Sequence, residues 1–132
     1  MKLAIVNAFS INMLNDNCGL LFDKIENPAD FLREYEVYNF IGHKDLDNIV
    51  RQNLNISIPE GVRGNVDIDN FDILLVAQYS GPRLPVGTTQ LPEGAKIEYW
   101  LIKKPDIANI DGFDVFVEKK ENLEYLLGKL PY

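Results

Sequence analysis

Three polar side chains that could contact a ligand occur near the first apolar run of the chain. This run, residues 2–8, contains Asn7 and predicts a strand covered on both faces, and Ser10 and Asn12 follow it. Such side chains at the end of a strand can hydrogen-bond the base edges, sugar hydroxyls or phosphates of a ligand. Asn and Ser also bond nearby backbone groups readily, so the residues alone leave a simple turn open as the alternative.

His43, the only histidine of the chain, follows Gly42 where a predicted strand gives way to a predicted helix. Backbone N–H groups at the start of a helix point outward and attract anions, so a phosphate could bind beside the imidazole ring. Such a phosphate would favour the protonated, acidic form of the ring, whereas the helix dipole opposes that charge in the empty site. An ordinary capping or surface histidine is the alternative that the residues leave open.

Two arginines lie in segments whose glycines and prolines predict loops. Arg63 follows Pro-Glu-Gly at residues 59–61, and Arg83 lies inside Ser-Gly-Pro-Arg-Leu-Pro at residues 80–85. An arginine braced in this way is partly preorganised, which suits bidentate binding of a phosphate. For both arginines the alternative is a solvated surface charge, but the constrained loop around Arg83 favours a function there.

Composition and charge exclude several classes of protein. The net charge of −7 over 132 residues argues against general binding to long DNA or RNA, but not against a small anionic ligand in a local basic pocket. Because the N-terminal apolar run is short, we predict neither a signal peptide nor a membrane span. A cytoplasmic protein, in the host cell if the protein is viral, is the expectation.

The chain offers few groups that could hold a metal ion. Cys18 is the only cysteine, so we expect no intramolecular disulfide and no cysteine-rich zinc site. Asp67, Asp69 and Asp72 lie close in sequence, but they lack the glycine and the terminal glutamate of a calcium-binding loop. We therefore predict no metal site, and a magnesium-dependent nuclease site built on acids is the alternative left open.

These residues must be positioned by elements that the sequence pattern predicts. Strands are predicted at residues 2–8, 19–25, 37–41, 62–68, 71–77, 96–102 and 113–117, and helices at residues 28–36, 44–54 and 121–127. The prolines and glycines of residues 80–94 predict a long loop. The order of these elements predicts a single α/β domain over residues 1–132, with a mixed sheet of about five to six strands flanked by helices.

Two segments together resemble a known family. Residues 7–14, Asn-Ala-Phe-Ser-Ile-Asn-Met-Leu, and residues 40–43, Phe-Ile-Gly-His before a helix, are similar to two signatures of the viral type III anti-CRISPR ring nucleases and related cellular ring nucleases. The resemblance covers roughly residues 1–100. It implies a homodimer without metal or cofactor that binds cyclic tetra-adenylate across its interface. It further implies cleavage to linear di-adenylate with a 2′,3′-cyclic phosphate, which suppresses type III CRISPR signalling.

The resemblance also implies roles for individual residues. His43 matches the proposed general acid, Arg83 matches an arginine near the scissile phosphate, and Arg63 matches a second binding arginine. The ligand-binding positions implied in addition are Asn7, Ser10, Asn12 and Gly42. These roles suit the cleavage of a phosphodiester in RNA. A 2′-hydroxyl held in line can attack the adjacent phosphate, cations stabilise the phosphorane, and an acid protonates the leaving 5′-oxygen.

One position departs from the family pattern. Where the family has Arg-Leu-Pro-Glu-Gly, residues 83–87 of this chain read Arg-Leu-Pro-Val-Gly. A second stretch, Leu-Pro-Glu-Gly at residues 91–94, offers Glu93 as the replacement acid if the loop carries an insertion. Three hypotheses follow: a ring nuclease, a binding protein that sequesters the ring without efficient cleavage, and a structural dimer that has lost the ligand.

Overall fold

The computed structural model describes residues 1–105, in which five strands and two helices occur. The strands are β1 (Lys2–Val6), β2 (Leu21–Ile25), β3 (Glu36–Asn39), β4 (Ile73–Ser80) and β5 (Lys96–Lys103), and the helices are α1 (Ala29–Leu32) and α2 (Lys44–Leu54). In this range neither helix is long and apolar enough to cross a membrane. The strand predicted at residues 113–117 and the helix predicted at residues 121–127 lie outside the described residues.

The five strands form one mixed sheet in the order β2-β5-β4-β1-β3. β1 runs parallel to both of its neighbours, β3 and β4, whereas β5 runs antiparallel to β4 and β2. The mixed sheet flanked by helices confirms the predicted α/β fold class. Because β1, β3 and β4 are parallel, the chain leaves all three at the same edge of the sheet, which is where ligands bind in open α/β sheets.

The two faces of the sheet bury separate sets of apolar side chains. One face, carrying Leu3, Ile5 and Leu75, packs against the apolar side of α2. The opposite face, carrying Val6 and Val76, packs against other side chains, those of Val66, Ile68, Phe9 and Met13 among them. Since both faces of β1 are covered, its apolar run has no polar alternation, as predicted for a strand of this kind.

The longer helix has the bounds that the sequence predicts. Its apolar side, including Leu46, Ile49 and Val50, is buried against the sheet, as the helical spacing of these residues indicates. The helix ends where Asn55 adopts a left-handed conformation (φ 51°) and donates its N–H to the carbonyl of Arg51 at 3.1 Å. Asparagine is one of the few residues that tolerate this C-terminal cap.

The first helix is shorter than predicted. The Asn27 side chain accepts a hydrogen bond from the Ala29 N–H at 3.2 Å, as a capping asparagine should, but the α-helix ends at Leu32 instead of near Glu36. The Tyr35 N–H bonds the carbonyl three residues earlier, and the Glu36 N–H already bonds the carbonyl of Met1, just before the neighbouring strand β1. The chain therefore tightens into a turn because it must enter β3 at Glu36.

The strand predicted at residues 62–68 is wrong. This segment contributes one hydrogen bond toward the sheet, from the Val62 N–H to the Asn39 carbonyl at 3.1 Å, and then leaves it. Val66 and Ile68 are buried and alternate as in a strand, but they cover the sheet from outside instead of pairing with it. The alternation of apolar and polar residues that predicts a strand here thus reflects packing of the apolar residues onto one face of the sheet.

Candidate functional site

Predicted site residues come together in a cavity of about 380 Å³ at the edge where β1 and β4 end and α2 begins. The cavity is lined by Asn7, Ala8, His43, Leu46, Gln78, Tyr79, Arg83 and Leu84. Three of the predicted residues, Asn7, His43 and Arg83, therefore share one space although they come from three separate parts of the chain. This arrangement follows from the parallel pairing of β1 and β4, which brings Asn7 beside the end of β4.

His43 is the N-cap of α2. Its backbone is extended (φ −92°, ψ 110°), and its Nδ1 atom accepts the N–H of Leu46 at 3.2 Å. The side chain thereby satisfies one of the N–H groups that a helix start leaves unpaired. With Nδ1 engaged in the cap, Nε2 is the ring nitrogen that remains to meet a ligand in the cavity. Capping and ligand binding are thus compatible roles of one exposed ring.

Arg63 lies beside the turn that carries His43, although it does not line the cavity. Its side chain runs across Gly42, where a Cβ atom would lie 3.4 Å from Nε and 3.5 Å from Cβ of Arg63. A Cβ atom at position 42 would thus make ordinary van der Waals contact with this arginine. Gly42 and Arg63, both predicted as ligand-binding residues, contact each other.

The loop that carries Arg83 is anchored on both sides of it. Before it, the Tyr79 hydroxyl donates to the carbonyl of Pro82, and directly after it Leu84 is buried in the main core, 8% exposed. Farther along, the Gly87 N–H donates to the carboxylate of Asp45, in the first turn of α2, at 3.2 Å. These anchors hold Arg83 at the cavity, as the prolines and glycine around it suggested.

The two Leu-Pro-X-Gly stretches of this loop form turns of the same kind. The Thr88 N–H bonds the carbonyl of Pro85 at 3.1 Å, and the Ala95 N–H bonds that of Pro92 at 3.0 Å. Gly87 (φ 81°) and Gly94 (φ 79°) occupy the third position, which requires a positive φ in a type II turn. Val86 and Glu93 are therefore equivalent residues of two successive turns.

Neither of these two side chains lines the cavity. Val86 is fully exposed, and Glu93 is exposed as well. The eight lining residues include no carboxylate. Within one chain, Glu93 therefore does not supply this cavity with the acid that the family pattern implies.

Ser10 and Asn12 form a turn of their own. The Ser10 hydroxyl accepts the Asn12 N–H at 3.3 Å and caps the short 3₁₀ turn Ile11–Met13. Both side chains are exposed and lie outside the cavity lining, so in this structure they have the turn role that the sequence left open.

Among residues 1–105 no group of three His, Cys, Asp or Glu side chains could hold a metal ion.

A buried polar pair behind His43 was missed by the sequence analysis. Asn39, the last residue of β3, donates Nδ2–H to Asp47 Oδ1 at 2.6 Å, and both residues are 2% exposed. The other carboxylate oxygen of Asp47 accepts the Gly61 N–H at 2.9 Å and Nε–H of Arg51 at 3.2 Å. A signal existed, because Asp47 has helical spacing to the buried Val50 on the apolar side of α2.

Comparison with known proteins shows a similarity of fold. No family model matches the chain, and no curated protein matches it. The fold is similar to the solved structure of B116 of Sulfolobus turreted icosahedral virus, with a TM-score of 0.63 and 27% sequence identity, over 78% of this chain and 99% of that one. The chain therefore shares its fold with a small protein of an archaeal virus.

Proposed function

We propose that this protein binds cyclic oligoadenylate, cyclic tetra-adenylate in particular, and opens the ring without a metal ion. The observation that carries the proposal is the convergence of an imidazole, a guanidinium and a carboxamide, those of His43, Arg83 and Asn7, on one cavity. These groups suit a phosphodiester whose own 2′-hydroxyl is the nucleophile. The similarity to a viral protein is consistent with a role in suppressing type III CRISPR signalling.

Each group has a task in this reaction. Asn7 can hold the sugar or base so that the 2′-hydroxyl lies in line with the phosphorus. Arg83 stabilises the charge of the phosphorane. His43 acts in its cationic form, in which both ring nitrogens carry a proton, so it releases the Leu46 N–H and donates the Nε2 proton to the leaving 5′-oxygen. The 2′-hydroxyl loses its proton to solvent water, and its oxygen forms a bond to phosphorus as the 5′-oxygen leaves, which produces the 2′,3′-cyclic phosphate. Arg63, beside Gly42, adds positive charge near the same turn.

The size of the cavity favours a shared site. At about 380 Å³ it lies at the lower end of the range for small-molecule pockets, whereas a ring of four nucleotides is much larger than a typical drug. Two copies related by a two-fold axis would place two such cavities around one ring, whose own symmetry matches that axis. A homodimer is therefore part of the proposal.

The direct test is product analysis after incubation with cyclic tetra-adenylate in the presence of a chelator. We expect linear di-adenylate with a 2′,3′-cyclic phosphate, identified by mass. Arg83→Ala should weaken binding and cleavage together, by about 10–100-fold in affinity, because a charge-assisted hydrogen bond contributes about 1.5–3 kcal/mol. Arg33→Ala is the matched control, since Arg33 is exposed and pairs with Asp30 in α1. An intact ring after long incubation would contradict the enzyme.

A second candidate function is sequestration of the same ring without efficient cleavage. It is favoured by the absence of a carboxylate among the eight residues that line the cavity. Tight binding with an intact ring would establish this binding protein. Failure of both binding and cleavage would leave a structural dimer with the fold alone.

A further inference from the structure

The buried Asn39–Asp47 pair connects the three segments that meet behind the candidate site. Asn39 belongs to β3, Asp47 to α2, and their bonds reach Pro59 and Gly61 in the segment that follows α2. The Asn39 amide donates to the Pro59 carbonyl at 2.9 Å, and its oxygen accepts the Ile41 N–H at 3.1 Å. All of the polar atoms of both side chains thus have partners.

The side-chain bonds of this pair reach both sides of the short passage that carries His43. Before His43, the Asn39 oxygen holds the Ile41 N–H, and after it the Asp47 carboxylate ties the first turns of α2 to Asn39. Asp47 lies one turn into the helix that His43 caps, since its N–H makes the ordinary helical bond to the His43 carbonyl at 2.8 Å. The Asp47 carboxylate also holds Gly61, two residues before Arg63. A Cβ atom at position 61 would overlap the Ile41 carbonyl oxygen and lie 3.0 Å from Asp47 Cγ, so only glycine allows this approach.

Stability alone does not account for an ionised group in this place. Buried charges pay a large desolvation penalty, and well-packed apolar residues of similar volume are often as stabilising or more so. A network of this kind does, however, select one arrangement of the backbone segments that it joins. That arrangement is the one in which His43 caps α2 and Arg63 runs across Gly42.

We infer that Asp47, together with Asn39, is a positioning residue that sets His43 at the cavity and Arg63 beside the turn that carries His43. The effect of this positioning on catalysis rests on the proposed function. The placement of the His43 ring itself, by a carboxylate that contacts no substrate, can be measured in the ligand-free protein.

The test compares Asp47→Asn with Val50→Ala by NMR and by single-turnover cleavage. All partners of the Asp47 carboxylate are donors, so the amide of Asp47→Asn turns one N–H toward another donor. We expect shifted or multiple signals for the His43 ring and the Leu46 amide. We also expect cleavage to fall by about 10²-fold per folded molecule, the cost of misplacing a reacting group by about 1 Å.

Val50→Ala is the control, because Val50 is fully buried on the same helix but belongs to the apolar core. It should reduce stability while leaving the His43 signals and the rate per folded molecule unchanged. Equal behaviour of the two variants would overturn the inference. If the parent protein does not cleave the ring, the proposed enzyme fails, but the His43 and Leu46 signals still decide the positioning role.

A second variant covers the case in which Asp47→Asn does not fold. Arg51→Met removes one donor from the Asp47 carboxylate at a partly exposed position, so folding is expected to survive. The same signals should shift by a smaller amount. Unchanged signals in a folded variant that lacks this bond would overturn the inference as well.

Discussion

His43 explains why single residues could be assigned only in part from the sequence. Its position after Gly42 suggested either a capping histidine or a proton donor, and the structure has the ring capping α2 through Nδ1 with Nε2 left for a ligand. Ser10 offered a similar choice, and in its case the turn accounts for the contacts observed. The alternatives could not be separated beforehand because they depend on which segments meet at the cavity.

The two roles of His43 can be separated by mutation. His43→Asn keeps a side-chain acceptor suited to the N-cap, so stability should change little, but the imidazole is gone and single-turnover cleavage should fall by roughly 10²–10⁴-fold. His43→Ala should lose the same rate and also about 1 kcal/mol of stability, because the cap is lost. Thermal unfolding and product formation measure the two effects. Full cleavage by His43→Asn would remove histidine from the mechanism.

The twin turns allow the assignment of Glu93 as the acid to be tested in both directions. If Glu93 takes that role, Glu93→Ala slows cleavage and leaves affinity for cyclic tetra-adenylate intact. The reciprocal variant is Val86→Glu, which places a carboxylate at the equivalent, fully exposed position and should cost little stability. Rates and binding constants of both variants give the answer. An unchanged rate for Glu93→Ala together with a faster Val86→Glu would identify residue 86 as the position that matters.

At the scale of elements, periodicity predicted α2 well and the segment after it poorly. In α2 the local sequence and the tertiary packing favour the same helix. Its apolar residues Leu46, Ile49 and Val50 are the ones that the sheet buries, and an asparagine suited to the C-cap ends it. Residues 62–68 alternate like a strand, yet Gly61 must pass close to the Ile41 carbonyl and the chain then leaves the sheet. The local sequence pattern does not reveal packing against residues that are distant in sequence, so it could not predict this departure from the sheet.

The outer pair of strands is linked by an ion cluster that makes stability depend on pH. Glu98 of β5 contacts Lys96 Nζ at 2.6 Å and Lys24 Nζ of β2 at 3.1 Å. These lysines, Lys96 above all, lower the pKa of Glu98 to about 2. Because the folded-state pKa lies below the ordinary value of 4.5, the stabilisation is present above pH 4.5 and is lost as the pH falls toward 2.

Replacement of this carboxylate should therefore flatten the acid side of the stability profile. Glu98→Gln is expected to be less stable than the parent at pH 7 and to approach it near pH 2, as followed by urea unfolding. High salt should reduce the difference, since the cluster is partly exposed. Glu26→Gln, at an exposed position just after β2, is the control. A constant difference between Glu98→Gln and parent at every pH would contradict the assignment.

At the scale of the whole molecule, the proposal of a shared ring site predicts a dimer. Light scattering at micromolar concentration should give about twice the chain mass of 15.0 kDa, with or without ligand. Isothermal titration should then give one cyclic tetra-adenylate per two chains. A monomer that still binds one ring per chain would exclude the shared site while leaving the ligand in place.

The close approach at Gly61 also bears on how relatives of this protein can be recognised. A side chain at position 61 would overlap the Ile41 carbonyl, so exchange of this glycine requires the backbone near residue 41 or residue 61 to shift, and the bonds of Asn39 and Asp47 depend on the same fit. Most aligned positions differ between this chain and its viral neighbour, since the identity is 27%. The spaced triplet Asn39, Asp47 and Gly61 should therefore persist in distant sequences longer than the exposed turns do.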